Sequence, residues 1–410
     1  MQVCEVILLL LLYYCPYSDI LFYEYKRLVS TYYANKHHIE SAYANQTPIA
    51  KRGLLMKQLV LLGGGYGNMR VLLRLLPSQL PDDVEITLID RTPYHCLKTE
   101  YYALASGTIS DQEVRVAFPE HERLNIKYGN ITKIDTAYQQ VLLEDGSAVA
   151  YDDLVVGLGC EDKYHNVPGA DEYTYSIQSI HSARATYEKL SNLPSGSVVG
   201  IVGAGLSGIE LASELRESRS DLGIKLFDRG ERILPAFPVR LSNYVQKWFD
   251  ANNVEIVSNS NITKVEPNML YNHDQTIPVD VCVWTAGIQP VEVVRTIPTE
   301  KDSSKRLVLT QYHNLPGDEH VYIVGDCASL PFAPSAQLAE EQAEQIVKVL
   351  LMRWKGETLP SEMSKIKLKG FMGSLGKKHG FAYLADRTIT GRIARLMKSG
   401  VLWMYKYHNG

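Results

Sequence analysis

Between Ser197 and Asp228 the chain reads SVVGIVGAGLSGIELASELRESRSDLGIKLFD. A short apolar strand opens onto the pattern G-x-G-x-x-G, formed by Gly203, Gly205 and Gly208. A helical pattern follows, and a second apolar strand ends at Asp228, about 20 residues beyond the last glycine, where this pattern has its ribose-binding acid. A glycine-rich structural turn would not explain the two strands, the helix and the acid together. The stretch therefore predicts a βαβ unit that binds a dinucleotide.

Each part of this unit has a physical task. Gly203 makes the tight turn, Gly205 lets the backbone approach a pyrophosphate, and Gly208 packs the helix against the strand. Asp228 can accept hydrogen bonds from the ribose hydroxyls of NADH and would repel the 2′-phosphate of NADPH, so NADH is the expected ligand. Arg229 keeps NADPH open as an alternative, because a guanidinium beside the acid can hold a phosphate.

A second unit of the same kind lies earlier in the chain. The apolar run Gln58–Leu62 leads into Gly63 and Gly65, and the next strand ends at Asp90. Asn68 stands at the third glycine position, where we expect it to weaken helix packing more than phosphate binding. A structural turn is the alternative. Two dinucleotide sites, one of them for NADH, predict FAD as the second ligand, because a flavin accepts the hydride of NADH.

The composition limits the classes of function. The chain has 410 residues, of which 45% are apolar, enough for two or three domains with their own cores. A net charge of -4 argues against nucleic acid as a partner. The six cysteines form no C-x-x-C pair, and no His, Cys or carboxylate cluster has metal-ligand spacing. We therefore expect a cytoplasmic protein without disulfides or a metal site.

The order of the motifs predicts the domains of an α/β fold. We expect two Rossmann-like dinucleotide-binding domains, the FAD domain being split by the inserted NADH domain. Residues 56–170 and 291–345 form the predicted FAD domain, and residues 171–290 form the NADH domain. Residues 346–410 form a basic C-terminal segment, and residues 1–55 are an unstructured or spurious extension.

The N-terminal extension differs in composition from the rest. Its apolar run, Val6–Tyr14, is too short to span a bilayer, and Glu5 stands where a signal peptide has basic residues. Met56 immediately precedes the first predicted strand, so we expect the natural start there. A membrane-tethering N-terminus is the competing interpretation.

Later strands and helices add polar groups. We expect strands over 254–262 and 279–284, and a buried strand that delivers Asp326 to its carboxyl end, where ligands of open α/β sheets lie. A helix predicted over 335–348 offers backbone amides at its start, although its polar residues could form an ordinary helix face.

The C-terminal segment is basic. From Lys365 onward, ten Lys and Arg residues face a single acid, Asp386. Apolar residues at helical spacing favour a helix that binds an anionic lipid surface, and the alternative is a packed helix with a solvated charged face. These residues are Ile393, Leu396, Met397, Val401 and Met404. Gly391 and Gly400 are expected to weaken any long helix.

Four segments resemble a known family: Gly63–Tyr66, Gly203–Glu210, Trp284–Gly287 and Val324–Ala328. In this order and spacing they resemble the type II NADH dehydrogenases, single-subunit NADH:quinone oxidoreductases that do not pump protons. The resemblance covers residues 57–410 and is closest to the NADH dehydrogenase-like proteins of the Bacillus group. It implies FAD and NADH as cofactors and a quinone or another two-electron acceptor. It is also consistent with a homodimer and with peripheral attachment to the cytoplasmic face of the membrane.

The resemblance implies two sets of site residues. The cofactor-binding set is Gly63, Gly65, Tyr66, Asp90, His95, Thr99, Gly159, Gly203, Gly205, Gly208, Asp228, Gly287, Asp326 and Ala336. The set assigned to the reaction is Glu210 near the nicotinamide, Gln337 and Glu341 on the quinone side, and Lys369 at the quinone end of the flavin. For Glu210, a structural alternative is a first-turn acid favoured by the helix dipole.

The chain departs from the family pattern in two places. Glu341 replaces the last glutamine of the quinone motif, and Leu158 replaces a threonine next to Gly159. Two alternatives therefore stay open. A sulfide:quinone reductase would need cysteines beside the flavin, and Cys160 is the only candidate. A redox sensor that binds FAD and NADH without reducing quinone is the other.

Overall fold

Two parallel sheets, one for each glycine-rich unit, frame residues 56–409, the part of the chain that the computed structural model describes. The extension predicted over residues 1–55 lies outside that range. Within it, no helix combines the length and apolar character needed to cross a bilayer.

The first part of the chain alternates strands with short helices. Its elements are β1 (Lys57–Leu62), α1 (Tyr66–Leu75), β2 (Val84–Asp90), β3 (His95–Cys96), the 3-10 turn Lys98–Glu100, α2 (Tyr101–Ala105), the 3-10 turn Asp111–Val114, β4 (Arg115–Val116), β5 (Leu124–Tyr128), β6 (Ile131–Asp135), β7 (Gln140–Leu143), β8 (Ala148–Ala150), β9 (Asp153–Val156) and β10 (Cys160–Asp162).

The middle part holds the second glycine-rich unit. Its elements are α3 (Ala170–Tyr173), β11 (Tyr175–Ser176), α4 (Ile180–Ser191), β12 (Val198–Val202), α5 (Leu206–Ser218), β13 (Gly223–Phe227), α6 (Val239–Ala251), β14 (Val254–Val257), β15 (Ile262–Glu266), β16 (Met269–Asn272), β17 (Gln275–Pro278), β18 (Val281–Trp284) and β19 (Ile288–Pro290). The strand predicted over 254–262 was wrong in its extent, because β14 and β15 are separate strands.

The last part returns to the first sheet and then forms a small antiparallel layer. Its elements are α7 (Glu292–Arg295), β20 (Asn314–Leu315), β21 (Asp318–Ile323), the 3-10 turn Gly325–Cys327, α8 (Ala336–Trp354), β22 (Gly370–Leu375), β23 (His379–Leu384), β24 (Arg387–Gly391) and α9 (Arg392–Asn409).

The sheet order confirms the predicted α/β fold. The first sheet has the order β20-β21-β9-β1-β2-β5, and only β20 is antiparallel to its neighbour. The second sheet, β11-β18-β12-β13-β14, is parallel throughout. The chain leaves the first sheet after β9, builds the second, and returns with β21 beside β9. The domain boundaries stay predictions; α8 runs without a break across residues 345 and 346.

Burial on both faces explains why the central strands are continuous apolar runs. In β1, Leu59 and Leu61 belong to one core cluster, whereas Val60 and Leu62 belong to another on the opposite face. Parallel sheets covered on both sides require this composition. The apolar positions of the strands therefore place the carboxyl ends of β1, β2, β12 and β13, and the loops that follow them, at the edges where ligands bind.

Helix α9 differs from the sequence-based expectation in two ways. It is continuous through Gly400, so the expected weakening by glycine was wrong. The apolar stripe also does not face the core: Ile393 is 63% exposed and Leu396 is 51% exposed. The face that packs against the protein instead carries Ala394, which is fully buried, together with Lys398, Leu402 and Tyr405.

The two glycines of this helix should respond oppositely to substitution. Gly400 lies inside α9, and a Cβ added there would meet nothing within 4 Å. We therefore expect Gly400→Ala to raise the free energy of unfolding by about 0.5–1 kcal/mol, measured by chemical denaturation. The matched control is Gly391→Ala: Gly391 has φ +80°, so alanine there should lower the stability by about 1 kcal/mol or more. A destabilising Gly400→Ala would contradict a continuous helix.

Candidate functional site

The loop between β1 and α1 has the geometry of a phosphate cradle. Gly63 has φ +84°, and a Cβ there would lie 2.7 Å from the carbonyl oxygen of Gly157, so the turn requires glycine. Gly65 has an ordinary φ of -79°, and the nearest atom to a Cβ there would be 3.7 Å away. Nothing in the protein itself requires glycine at position 65. A ligand that approaches the backbone at the start of α1 does require it.

Asn68 occupies the third glycine position without loosening the helix. Its Nδ2 donates hydrogen bonds to the carbonyl oxygens of Leu62 and Gly63, both at 2.8 Å. The neighbouring strand end supplies Gly157, where a Cβ would lie 2.8 Å from that nitrogen. The expected loss of close packing was therefore wrong, because a glycine on another strand makes room for the larger side chain.

Asp90 closes this first loop. Its Oδ2 accepts a hydrogen bond of 2.5 Å from the backbone N–H of Gly64, and its Oδ1 accepts one of 2.7 Å from the N–H of Thr92. The carboxylate at the end of β2 is thereby fixed against the glycine loop. This is the position from which an acid reaches the ribose of a dinucleotide.

The loop between β12 and α5 repeats the arrangement. Gly203 has φ +109°, and a Cβ on Gly208 would overlap the carbonyl oxygen of Gly203. Gly205 has φ -75°, and a Cβ there would meet nothing within 4 Å. Asp228 accepts hydrogen bonds of 2.8 Å from the N–H groups of Ala204 and Gly230. The second loop therefore also leaves room for a ligand at its middle glycine.

The predicted flavin-lining segment is closed by an aromatic group from α9. Tyr66 and Thr99 share a hydrogen bond of 2.8 Å between their hydroxyl groups. The Nδ1 of His95 is 2.7 Å from the carbonyl oxygen of Gly64, and its Nε2 is 3.0 Å from the hydroxyl of Tyr405. Burial lowers the pKa of His95 to about 4, so its imidazole is neutral at physiological pH.

Two cysteines bind the turns that carry Gly159 and Asp326 to each other. The thiol of Cys327 donates to the carbonyl oxygen of Gly159 at 3.1 Å, and the thiol of Cys160 donates to that of Asp326 at 3.3 Å. Burial raises the pKa of both thiols. The carboxylate of Asp326 lies 3.6 Å from the ammonium of Lys98, and its side chain is 21% exposed. Both cysteines therefore remain neutral thiols with a structural contact.

Three further predicted residues lie on separate elements. Ala336 is the first residue of α8, whose N-cap Ser335 accepts a hydrogen bond from the N–H of Leu338. Gln337 and Glu341 are both half-buried, and their spacing of four residues puts them on one helix face. Among residues 56–409, neither has a hydrogen-bond partner.

Gly287 follows β18 with φ +122°. A Cβ there would lie 2.9 Å from Nε2 of His165, which is itself 2.7 Å from the carbonyl oxygen of Ala286. The turn after β18 is therefore held by a side chain from the segment that links the two sheets.

Glu210 lies in a buried cluster that the sequence did not predict. Its Oε1 contacts the ammonium of Lys398 and accepts a hydrogen bond of 2.9 Å from the N–H of Ser374. Lys398 also donates to the hydroxyl of Tyr102 at 2.6 Å and lies 3.8 Å from Glu100. Glu210 is in the second turn of α5, so the alternative of a first-turn dipole acid was wrong.

Burial sets the protonation behaviour of this cluster. It raises the pKa of Glu210 to about 7, although the charge of Lys398 acts in the opposite direction. Burial also acts to lower the pKa of Lys398, but the charges of Glu210, Tyr102 and Glu100 outweigh it and the net shift is upward. The lysine is therefore charged, and the carboxyl of Glu210 is poised to take up or lose a proton near neutral pH.

Lys398 takes the place near Glu210 where no lysine was expected. Lys369 is exposed and has no hydrogen-bond or ion-pair partner in the described part of the chain. The signal that could have identified Lys398 is its spacing from Ala394, Leu402 and Tyr405, which form one face of α9.

The described residues fit two dinucleotides and give no sign of a metal. Both glycine loops leave open space at an ordinary backbone conformation, and both end in a fixed acid. Among residues 56–409, no group of three or more His, Cys, Asp or Glu side chains could hold a metal ion.

Comparison with known proteins agrees with this geometry. The family model for pyridine nucleotide-disulphide oxidoreductases matches residues 57–345, and the chain belongs to that family. It is 67% identical over 355 residues to the NADH dehydrogenase-like protein YutJ of Bacillus subtilis (strain 168), a match that spans 87% of this chain and 100% of that protein. The predicted enzyme class, an NADH oxidoreductase that uses FAD and NADH, is confirmed.

More distant relatives share the fold. The chain is 24% identical to the type II NADH:quinone oxidoreductase of Staphylococcus saprophyticus, over 83% of this chain and 93% of that protein. NDH2 of Plasmodium falciparum in complex with NADH superposes with a TM-score of 0.72 at 16% identity, covering 86% of this chain and 96% of that chain. The sulfide:quinone oxidoreductase of Aquifex aeolicus gives 0.73 at 18% identity, covering 86% and 92%. At these identities the two solved structures show the fold alone.

Proposed function

We propose that this enzyme oxidises NADH at the second sheet and passes two electrons, through FAD held at the first sheet, to a quinone, without pumping protons. The observation that carries the proposal is the pair of glycine loops whose middle glycines, Gly65 and Gly205, no contact within the protein explains. The relatives named as NADH dehydrogenase-like and as type II NADH:quinone oxidoreductase support the same reaction.

The residues would divide the work by sheet. Gly63, Gly65 and Asp90 would hold FAD, together with Asp326 and the segment around His95. Bound FAD supplies the chemistry of accepting a hydride and releasing two electrons. On the other side, the loop Gly203–Gly208 and Asp228 would position NADH, and Glu210 would lie near its nicotinamide.

The acceptor side rests on α8 and the acidic residue that departs from the family. Gln337 and Glu341 lie on one face of α8, whose Gln342 accepts a hydrogen bond from the N–H of Gly325 beside Asp326. This contact supports a position of the two side chains close to the flavin. The carboxylate of Glu341 would disfavour negative charge on a reduced acceptor nearby, which also supports a weaker preference for quinone.

Helix α9 supports peripheral attachment to a membrane. Its outer face exposes Trp403 by 57% and Tyr407 by 55%, and these rings stack on each other with centroids 5.3 Å apart. Arg392 and Arg395 lie on the same helix. Exposed aromatic and apolar side chains flanked by basic residues favour binding at an anionic lipid surface.

The proposed function is tested with protein that begins at Met56. Its flavin spectrum is recorded, and bleaching by NADH without oxygen is followed by re-oxidation with a menaquinone analogue. We expect bleaching and full re-oxidation. Bleaching without re-oxidation by quinone would assign the enzyme to another acceptor or to a sensor role, and protein without flavin would overturn the proposal.

Removing the charge of Glu341 should speed up the second half of this experiment. We expect Glu341→Gln to raise the rate of re-oxidation by the menaquinone analogue several-fold, because one nearby unit charge is worth about 1 kcal/mol in a solvated site. Bleaching by NADH should be unchanged. The matched control is Glu344→Gln on the same helix, whose carboxylate pairs with Arg74. Equal effects of the two substitutions would contradict a position of Glu341 beside the acceptor.

A further inference from the structure

The cluster around Lys398 contains one cation and two carboxyl groups. The side chains of Glu100 and Glu210 are each 6% exposed, and that of Lys398 is 12% exposed. If both carboxyls were ionised, the cluster would hold a net negative charge away from water, which is strongly unfavourable. One bound proton makes the cluster neutral.

Hydrogen bonds connect the two carboxyl groups. The hydroxyl of Tyr102 accepts a hydrogen bond from Lys398 and donates one of 3.2 Å to Oε2 of Glu100. The same hydroxyl is 3.0 Å from the hydroxyl of Ser374, whose backbone N–H donates to Glu210. A proton on either carboxyl therefore belongs to the pair rather than to one residue.

Other ionisable groups face the cluster from two elements. Helix α5 also carries Glu214, one turn beyond Glu210 and fully buried, and α9 carries Arg395 close to it. Burial raises the pKa of Glu214, and Arg395 acts in the opposite direction. No hydrogen bond joins Glu214 to Tyr102 or Lys398 in the described part of the chain, so it stands outside the connected pair.

We propose that Glu100 and Glu210 share one proton, which the cluster gives up when the nicotinamide beside it becomes cationic. The inference rests on the proposed function, which places Glu210 near the nicotinamide. When NADH loses a hydride, its C–H bond breaks, the electron pair leaves with the hydrogen, and the neutral ring becomes a cation. The carboxyl O–H bond then breaks, and the remaining carboxylate pair with Lys398 carries one negative charge opposite the ring.

The proton completes the reduction of the acceptor. A quinone that receives a hydride equivalent needs one further proton to become a quinol, and the cluster supplies it. When NAD⁺ leaves, the cluster takes a proton from water and is neutral again. Over one turnover the enzyme thus consumes NADH, a quinone and one proton from water, and it produces NAD⁺ and the quinol.

Proton release on NAD⁺ binding tests this without turnover. The FAD-loaded enzyme is titrated with NAD⁺ by calorimetry at about pH 6, in buffers with different heats of ionisation, which gives the number of protons released. We expect the wild-type enzyme to release close to one proton. Glu100→Gln should release almost none, because Glu210 and Lys398 alone are already neutral. The matched control, Glu214→Gln, removes another buried carboxyl of the same neighbourhood and should release as many protons as the wild type.

Several outcomes would overturn the inference. One is no proton release by a wild-type enzyme that NADH bleaches, which would leave the proposed function intact; a wild type that NADH does not bleach would defeat the proposed function instead. Full release by Glu100→Gln would remove Glu100 from the pair. Should that variant not fold, infrared spectroscopy of the wild type decides: the carbonyl stretch of a protonated carboxyl should weaken when NAD⁺ is added, and an unchanged band would contradict the shared proton.

Discussion

Replacing Lys398 with methionine is expected to lower the free energy of unfolding by about 3–5 kcal/mol, because it leaves two buried carboxyl groups without their cation. Solvent can screen little of this effect, since only 12% of the lysine side chain is exposed. Methionine fills a similar volume, so the loss would report the charge rather than a cavity. Chemical denaturation of the flavin-loaded protein measures it.

Lys369→Met is the control for this substitution. Lys369 belongs to the same basic segment but is exposed, and its replacement should change the stability by no more than about 0.5 kcal/mol. A stability unchanged by Lys398→Met would show that water reaches Glu100 and Glu210. Equal losses in both variants would show that the charge of the whole segment, not the buried cluster, stabilises the fold.

The effect of Lys398→Met should depend on pH. A carboxyl whose pKa folding raises, such as Glu210 at about 7, stabilises the folded state at low pH and loses that contribution as the pH rises through the folded-state pKa. Without the lysine, the pKa of Glu210 would rise further. The stability difference from the wild type should therefore shrink as the pH is lowered from about 8 to about 5, where the carboxyl is protonated in the folded state. A difference that grew on acidification would contradict this assignment.

Valine at the middle glycine of either loop should separate the two cofactors. Gly65 and Gly205 both have an ordinary φ and open space, so valine should leave the fold intact and block only the approach of a pyrophosphate. We expect Gly65→Val to purify without flavin. Gly205→Val should keep its flavin and be bleached by NADH about 100-fold more slowly, as expected for the loss of one or two charge-assisted hydrogen bonds.

Gly400→Ala is the matched control for both variants. It also fills open space at a glycine, but on α9 and away from the loops, and it should keep both the flavin and the rate of bleaching. Gly205→Val bleached at the wild-type rate would place NADH elsewhere. Loss of flavin from both valine variants would show that the loops do not serve separate ligands.

The glycine loops could be predicted from sequence because their parts are local. Turn, helix start and strand-end acid follow one another within a few tens of residues, so the pattern itself contains the geometry. Asn68 shows the limit of this reasoning. The sequence identified the exception but not its compensation, since Gly157 comes from another strand and pairs with Asn68 only in three dimensions.

The cluster around Glu210 could not be predicted in this way. Lys398 is 188 residues from Glu210, and no local pattern links them. On α9 the most apolar stripe was taken as the interacting face, but tertiary packing buries the stripe that contains Lys398 and exposes Ile393 and Leu396. Periodicity indicates that a helix has two faces; it does not indicate which face the rest of the chain can satisfy.

Helix α9 contacts both glycine-rich units at once. Lys398 contacts Glu210 of α5, and Tyr405, two turns further along at a distance of about 10 Å on the helix axis, contacts His95 beside the first loop. A rigid rod that supports two sites cannot be shifted for one of them alone. Mutations in α9 should therefore accumulate in compensating sets during evolution, and a protein engineer who wishes to transplant the C-terminal region should move β22–β24 and α9 together.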